Sequence, residues 1–314
     1  MNVSVCKLGF GTWQLGGENI INGHHRGWGD IDENAAIQAI HGAIDRGIQF
    51  FDTADAYGWG RSEEILGKAI KPYTRDKLVI CTKFGHRQGP QGNTFQDFSP
   101  EWLEEAVINS LKRLKTDYVD ILLFHSPPDQ FNWGEYDTTV LDQLIKKGYI
   151  RSYGISSKTI QGSLHVLKFS FGSVLEAIFN ILDRRAEDLL LNQLDKQYRF
   201  IARVPLASGF LSPKWLDQEP EFKLNDWRRY LSDTDRQWFL SSLRSLEFLN
   251  EQPGGVAVSA LRYLLYHPRV EVVIPGMRNI DHVITNHLAL ELGPLDPTLV
   301  EKIYHAVPEV PAHW

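Results

Sequence analysis

The sequence predicts an α/β fold, a (β/α)₈ (TIM) barrel in one domain spanning residues 1–314, on three observations. Short apolar runs rich in β-formers alternate with segments of helical periodicity along the whole chain. About eight such units are evenly spaced, with no composition break that would mark a linker. The glycine fingerprint of a doubly wound dinucleotide domain is missing, because Gly9-Phe10-Gly11 and Gly58-Trp59-Gly60 both lack the third glycine. The alternation therefore points to a parallel sheet closed into a barrel.

The elements follow in order. DENAAIQAIHGAIDRG (32–47) is a helix with Asp32 as N-cap and Gly47 as its stop. Ile48 to Asp52 is an apolar strand closed by an acid, and GWGRS opens a helix expected to end at Gly67. KLVICTK (77–83) is apolar until Lys83. SPEWLEEAVINSLKRLK (99–115) is a helix capped by Ser99 with Pro100 in its first turn, and YVDILLFH (118–125) is apolar until His125. TVLDQLIKKG precedes the strand GYIRSYGISS (148–157), a helix through His165, the strand SVLEAIFNIL (173–182), a helix through Gln193 and the strand YRFIARVPL (198–206). The irregular stretch 207–235, rich in Trp, Asp, Pro and Arg, is expected to be a lid over the C-terminal face. The last unit runs from GVAVSALRYLLYHP (255–268) through VEVVIPG (270–276) to a helix beginning near Ile280.

Composition narrows the function. With 43% hydrophobic and 23% charged residues the chain has enough apolar material for a large core. A net charge of −6 with scattered basic residues argues against a nucleic-acid partner. No run approaches eighteen apolar residues and the first residues carry no signal pattern, so a soluble, cytoplasmic protein without a membrane partner is expected. Asn2-Val3-Ser4 matches a glycosylation acceptor, which has no meaning without a secretory signal. Cys6 and Cys81 are too few for a disulfide framework or a tetrahedral zinc site, and no metal is expected.

Three strands end on ionisable residues, Asp52, Lys83 and His125, and Tyr57 lies in the loop after the first of them. Alternate side chains of a strand share a face, so Phe50 goes with Asp52, Cys81 with Lys83 and Leu123 with His125. If the strands are parallel neighbours, an acid, a lysine and a histidine converge at one rim. The plainer alternative is polar residues where chains leave the core. It is even odds for one strand and weaker for three with Tyr57 beside them.

LGFGTWQLGG, FDTADAYGWGRSEEILG, TKFG, LLFH, YGISS, VPLASGFLSPK and IPGMRNIDHVITN together resemble the aldo-keto reductase superfamily, in the family's order and over nearly the whole chain. The resemblance implies an NADPH-dependent (β/α)₈ oxidoreductase, with NADH the less expected cofactor and a small-molecule carbonyl as substrate. Its catalytic tetrad would be Asp52, Tyr57, Lys83 and His125. Tyr57 would donate a proton to the carbonyl oxygen, its pKa brought down by Lys83; Asp52 would keep Lys83 charged, and His125 would orient the carbonyl. Cofactor contacts are implied at Gly11, Thr12 and Trp13 after the first strand, and at Ser156 and Ser157 for the carboxamide. Glu176 stands where the family commonly has glutamine, and can only accept. Arg203 stands where an aromatic ring commonly stacks under the nicotinamide; it stacks there itself or pairs with Glu176. Pro205, Leu206, Ser208, Gly209, Leu211 and Lys214 match the pyrophosphate segment. Gly276, Met277, Arg278, His282 and Asn286 match the adenosine segment, Arg278 suiting a 2′-phosphate.

Trp13, Trp28, Trp59 and Phe84, with Trp133 or Trp227, would line the substrate pocket. Two other functions remain open: a Schiff-base lyase using Lys83, and a non-catalytic regulatory subunit such as the potassium-channel β subunits, which share this fold and tetrad. The lack of an extra segment before the first barrel elements lowers the second.

Overall fold

The computed structural model describes residues 6–21, 23–89 and 93–311; Asn2 lies outside them. Eight parallel strands form one sheet in sequence order: β1 (Phe10–Gly11), β2 (Phe50–Asp52), β3 (Val79–Phe84), β4 (Val119–His125), β5 (Ile150–Ser156), β6 (Val174–Ile178), β7 (Arg199–Arg203) and β8 (Val272–Ile274). The sheet closes on itself where Gly11 bridges Gly276, with Gly9 N donating to Val273 O at 2.8 Å and Gly11 N to Pro275 O at 2.9 Å. This is the expected (β/α)₈ barrel.

Strand alternation splits the core into two layers. Phe50, Val79, Cys81, Ile121, Leu123 and Val174 point into the barrel, while Phe51, Ile80, Leu122 and Phe124 point outward into a larger core under the helices. The helices of eight residues or more are α1 (Glu33–Asp45), α2 (Arg61–Ile70), α3 (Pro100–Leu114), α4 (Thr139–Lys146), α5 (Ile160–Leu167), α6 (Asp233–Ser245), α7 (Gly255–Leu265), α8 (Ile280–Glu291) and α9 (Pro297–Ala306). Two of the starts show the capping residues named from the sequence. Asp32 accepts from Asn34 N and Ala35 N, and Ser99 from Trp102 N with Pro100 beginning α3.

Three expectations need correction. Helix α2 continues past Gly67 to Ile70. Gly67 is there for contact: a Cβ on it would meet Arg113 O at 2.5 Å and Leu114 O at 2.7 Å, so the glycine lets α2 lie against the end of α3. Strand β6 stops at Ile178, because the side chain of Asn180 accepts from Leu182 N and Asp183 N and turns the chain. The helix through Gln193 is a π-helical turn, Ala186–Leu190, followed by a 3₁₀ turn, Leu191–Gln193. Two short antiparallel pairs, Ile20–Ile21 with His24–His25 and His86–Gln88 with Thr94–Gln96, were not anticipated. Among the described residues no helix is long and apolar enough to cross a membrane.

Candidate active site

The three ionisable strand ends meet as the alternation requires, since β2, β3 and β4 are parallel neighbours. Lys83, fully buried, donates from Nζ to Asp52 Oδ1 at 2.5 Å and to Thr53 O at 3.0 Å, and lies 3.3 Å from Tyr57 Oη. Tyr57 is held by its loop: Gly58 at φ +62 presses on Gly16, where a Cβ would sit 2.2 Å from the Gly16 carbonyl oxygen. The ring of His125 meets the Tyr57 ring edge-on at 5.7 Å and the His86 ring at 4.8 Å. The acid, amine, phenol and imidazole named from the sequence thus form one cluster at the C-terminal mouth of the barrel.

Burial governs the protonation of this cluster. It is the largest influence on Tyr57 and pushes the phenol above its ordinary value; Lys83 pulls it back, and Asp52 and Glu176 push it further up. The expected net lowering by Lys83 is therefore not what the structure shows, and the phenol is held in the protonated form a proton donor needs. Asp52 is pushed up to about 8, by burial first and then by the charge of Glu176, against Lys83. Lys83 is held well above its ordinary value, because Asp52 and Glu176 outweigh its burial. His125 is held well below its ordinary value by burial, with His86, Lys83 and Arg203 adding to it, so the imidazole is neutral.

From this cluster a cavity of about 470 Å³ runs along the loops after β7 and β8. Most of the expected cofactor residues line it: Gly11, Trp13, Glu176, Arg203, Pro205, Leu206, Ser208, Gly209, Leu211, Lys214, Gly276, Arg278, His282 and Asn286. Thr12, Ser156, Ser157 and Met277 stand behind the wall. Thr12 donates to Asp52 O and receives Ser62 Oγ, Ser156 Oγ donates to Glu176 Oε1, and Met277 is fully buried. The β7 loop is strained: Val204, Ala207 and Ser208 have φ of +55°, +47° and +55°, a region unfavourable for residues with a Cβ and worst for a β-branched one.

Two features suit the cavity to a long, anionic, hydrogen-bonding molecule. Buried polar atoms without hydrogen-bond partners line it: Gln14 Oε1, Arg203 Nε and Asn286 Nδ2 on the wall, with Ser157 Oγ just behind. Lys214, Arg228, Arg278 and His282 crowd its far end. Lys214 and Arg278 are both pulled down, by burial and then by the charge of Arg228. An anion would relieve that repulsion. Arg228 is missing from the sequence-based set; its signal lay in the Arg228–Arg229 pair within the expected lid.

The lid segment clasps the loop after β1. Trp227 N donates to Gly27 O and Gly29 N to Asn225 O, and Arg278 reaches the carbonyl oxygens of Trp28 and Asp30. Trp13, Trp28 and Trp227 pack together over Tyr57, with ring centroids 5.2 to 6.1 Å apart. Of the aromatics expected at the substrate pocket, Phe84 and Trp133 belong elsewhere. Both pack on Phe124 outside the barrel, Phe84 because it alternates with Lys83. Arg203 does not pair with Glu176. It stands two residues beyond the Glu176 register partner Ile201, nearer the mouth, and donates to Ser157 O at 2.9 Å.

The family model for the aldo/keto reductase family matches residues 7–307. The chain belongs to this family. It is an oxidoreductase of the aldo/keto reductase kind. Aldo-keto reductase YhdN of Bacillus subtilis is 31% identical over 283 residues, covering 88% of this chain and 82% of that protein. The NADH-specific methylglyoxal reductase of Escherichia coli is 33% identical over 224 residues, 67% of each chain. Among solved structures, the holo form of aldo-keto reductase AKR11C1 from Bacillus halodurans is similar, with a TM-score of 0.77 and 29% identity over 97% of this chain and 93% of that one.

Proposed function

We propose that this aldo/keto reductase is a cytoplasmic, NADPH-dependent reductase of a small-molecule carbonyl, working without a nucleic-acid or membrane partner. The observation that carries the reading is Lys83 Nζ standing 2.5 Å from Asp52 and 3.3 Å from Tyr57 on the floor of a cavity that Tyr57 itself lines. NADPH in the cleft would supply the hydride. Tyr57, kept protonated by burial, gives its proton to the carbonyl oxygen as negative charge develops there. Lys83 stabilises the phenolate left behind, Asp52 fixes the lysine, and neutral His125 directs its ring toward the same oxygen. Trp13, stacked on Tyr57 at 6.1 Å, supplies an apolar wall for the substrate.

Ser157 Oγ, which has no hydrogen-bond partner, and the Glu176 carboxyl, which also faces Lys83 at 3.5 Å, suit a carboxamide, Glu176 accepting from its NH₂. The cations at the far end suit phosphates, and Arg278 with Lys214 and Arg228 favours the 2′-phosphate that separates NADPH from NADH. The E. coli relative is NADH-specific by name, so the preference has to come from these residues.

The test is NADPH oxidation, followed by absorbance, over a panel of sugars, aldehydes and ketones. Carbonyl-dependent oxidation is expected, abolished in Tyr57→Phe. A protein that binds NADPH and turns over none of the panel would be a regulatory subunit instead. Borohydride trapping of substrate on Lys83 would make it a lyase.

A further inference from the structure

Glu176 stands outside the four proton-handling groups, yet lies against them. Its Oε2 is 3.5 Å from Lys83 Nζ, its Oε1 accepts from Ser156 Oγ at 2.9 Å, and its side chain is 1% exposed. Strand β6 is no neighbour of β2 or β3 in the sheet; the closed barrel brings it across. Lys83 therefore faces two carboxyl groups, Asp52 and Glu176.

The other groups around Glu176 leave that charge uncompensated. Cys81 on β3 is a thiol that burial holds well above its ordinary value, and is neutral. Tyr57 is protonated and His125 on β4 is neutral. Ser156 on β5 brings only a hydroxyl, and Arg203 on β7 has its guanidinium on the Ser157 carbonyl oxygen. Two acids and one ammonium in a dry site carry one negative charge too many, and an unpaired buried charge is costly. A proton held by one carboxyl removes it.

We propose that Glu176 is a positioning residue of the proton-donor site: as a second carboxyl on Lys83, at 3.5 Å beside Asp52 at 2.5 Å, it makes the two acids share one proton at neutral pH, one ammonium away from the Tyr57 hydroxyl. This rests on Tyr57 being the proton donor. Burial and the Glu176 charge, which together push Asp52 up to about 8, act in the same direction. When Tyr57 Oη gives its proton to the carbonyl oxygen, Lys83 passes one proton to the phenolate and takes the proton shared by the two carboxyls in return. The phenol and the ammonium are restored, both carboxyls are then ionised, and the cluster takes its missing proton back from solvent after the product leaves.

Two measurements test this, and the first needs no activity. Infrared spectra of the cofactor-free protein should show a protonated-carboxyl C=O band that fades as pH rises through about 8. Glu176→Gln should lose that band at neutral pH, while any contribution from Asp55, which burial also holds well above its ordinary value, persists in both proteins. Should Glu176→Gln not fold, Asp52→Asn must lose the same band. In the second measurement the pH profile of kcat for carbonyl reduction should carry an inflection near the same pH, with the rate falling on the alkaline side, and Glu176→Gln should lack it. Superimposable infrared spectra, or an unchanged inflection in the variant, overturn the proposal. If Tyr57→Phe kept its turnover, the proton-donor reading would fail, and the infrared result would still decide where the proton sits.

Discussion

The two ends of the cleft are built in opposite ways. At the floor the charges are placed by strands: Asp52, Lys83 and Glu176 are at most 4% exposed, stand on β2, β3 and β6, and carry more acid than base. At the far end Lys214, Arg228, Arg278 and His282 come from loops and short helical turns or helix starts and carry more base than acid. Arg228 has Asp226, at 2.6 Å, while Arg278 has two backbone carbonyls. Barrel register fixes the floor before any ligand binds, whereas the far end keeps a surplus of positive charge that an anion would offset. Rate should therefore reside at the floor, and affinity and cofactor choice at the far end.

The largest expected effects break the floor. Tyr57→Phe should lower kcat by roughly 10²- to 10⁴-fold with the NADPH dissociation constant nearly unchanged, because it removes a proton donor and no cofactor contact. Lys83→Met should lose as much rate and also destabilise the fold by about 3–5 kcal/mol in urea, since Asp52 and Glu176 would share a dry site without their cation. A Lys83→Met protein as stable as the parent would mean that the floor is not a closed charge cluster.

The same contrast explains what could be read from the sequence. Asp52, Lys83 and His125 were legible because each ends an apolar run, and the period of two put Phe50, Cys81 and Leu123 on their face. Phe84 was misplaced although that period already set it opposite Lys83. The approach of Glu176 to Lys83 was not legible, because two strands separate β6 from β3 and only closure of the barrel spans them. Nor was the grip of Arg278 on Trp28 O and Asp30 O, which depends on how two loops cross rather than on any local pattern. Gly67 looked like a helix stop because glycine serves both as a stop and as a point of close contact, and only the neighbouring helix distinguishes them.

At the far end, Arg278→Ala should weaken NADPH more than NADH by about 1.5–3 kcal/mol, the worth of a charge-assisted contact. Because Arg278 also ties down the loop after β1, some loss should be common to both cofactors, and only the difference reports the 2′-phosphate. Fluorescence titration with each cofactor separates the two. Equal losses would assign Arg278 to the loop alone.

Returning to the floor, Asp52 sets a pH dependence of stability. Its native pKa of about 8 lies above its ordinary 3.8, so between those values the folded chain holds a proton that the unfolded chain has released. Stability then falls as pH rises through that window, by at most about 1.4 kcal/mol per pH unit. Neutral His125 acts with the opposite sign as pH rises toward 6.5. Urea midpoints of the parent and Asp52→Asn, compared across the window, isolate the Asp52 share: the parent should decline relative to the variant. Parallel curves would mean that Asp52 is ionised throughout.

The smallest expected effect lies between Glu176 and Arg203, where the two ends adjoin. Their charges and sequence positions suggest an ion pair, so that losing either would expose the other. In the barrel Glu176 is matched with Ile201, and Arg203 stands two residues nearer the mouth on the Ser157 carbonyl oxygen, while Lys83 takes the Glu176 carboxylate. A cycle of Glu176→Gln, Arg203→Tyr and the double variant should therefore give NADPH binding losses that add to within about 0.5 kcal/mol. A double variant that binds clearly better than the sum would place Arg203 in the floor's charge cluster. The surplus negative charge there would then already be neutralised, and Asp52 would have no need of its proton.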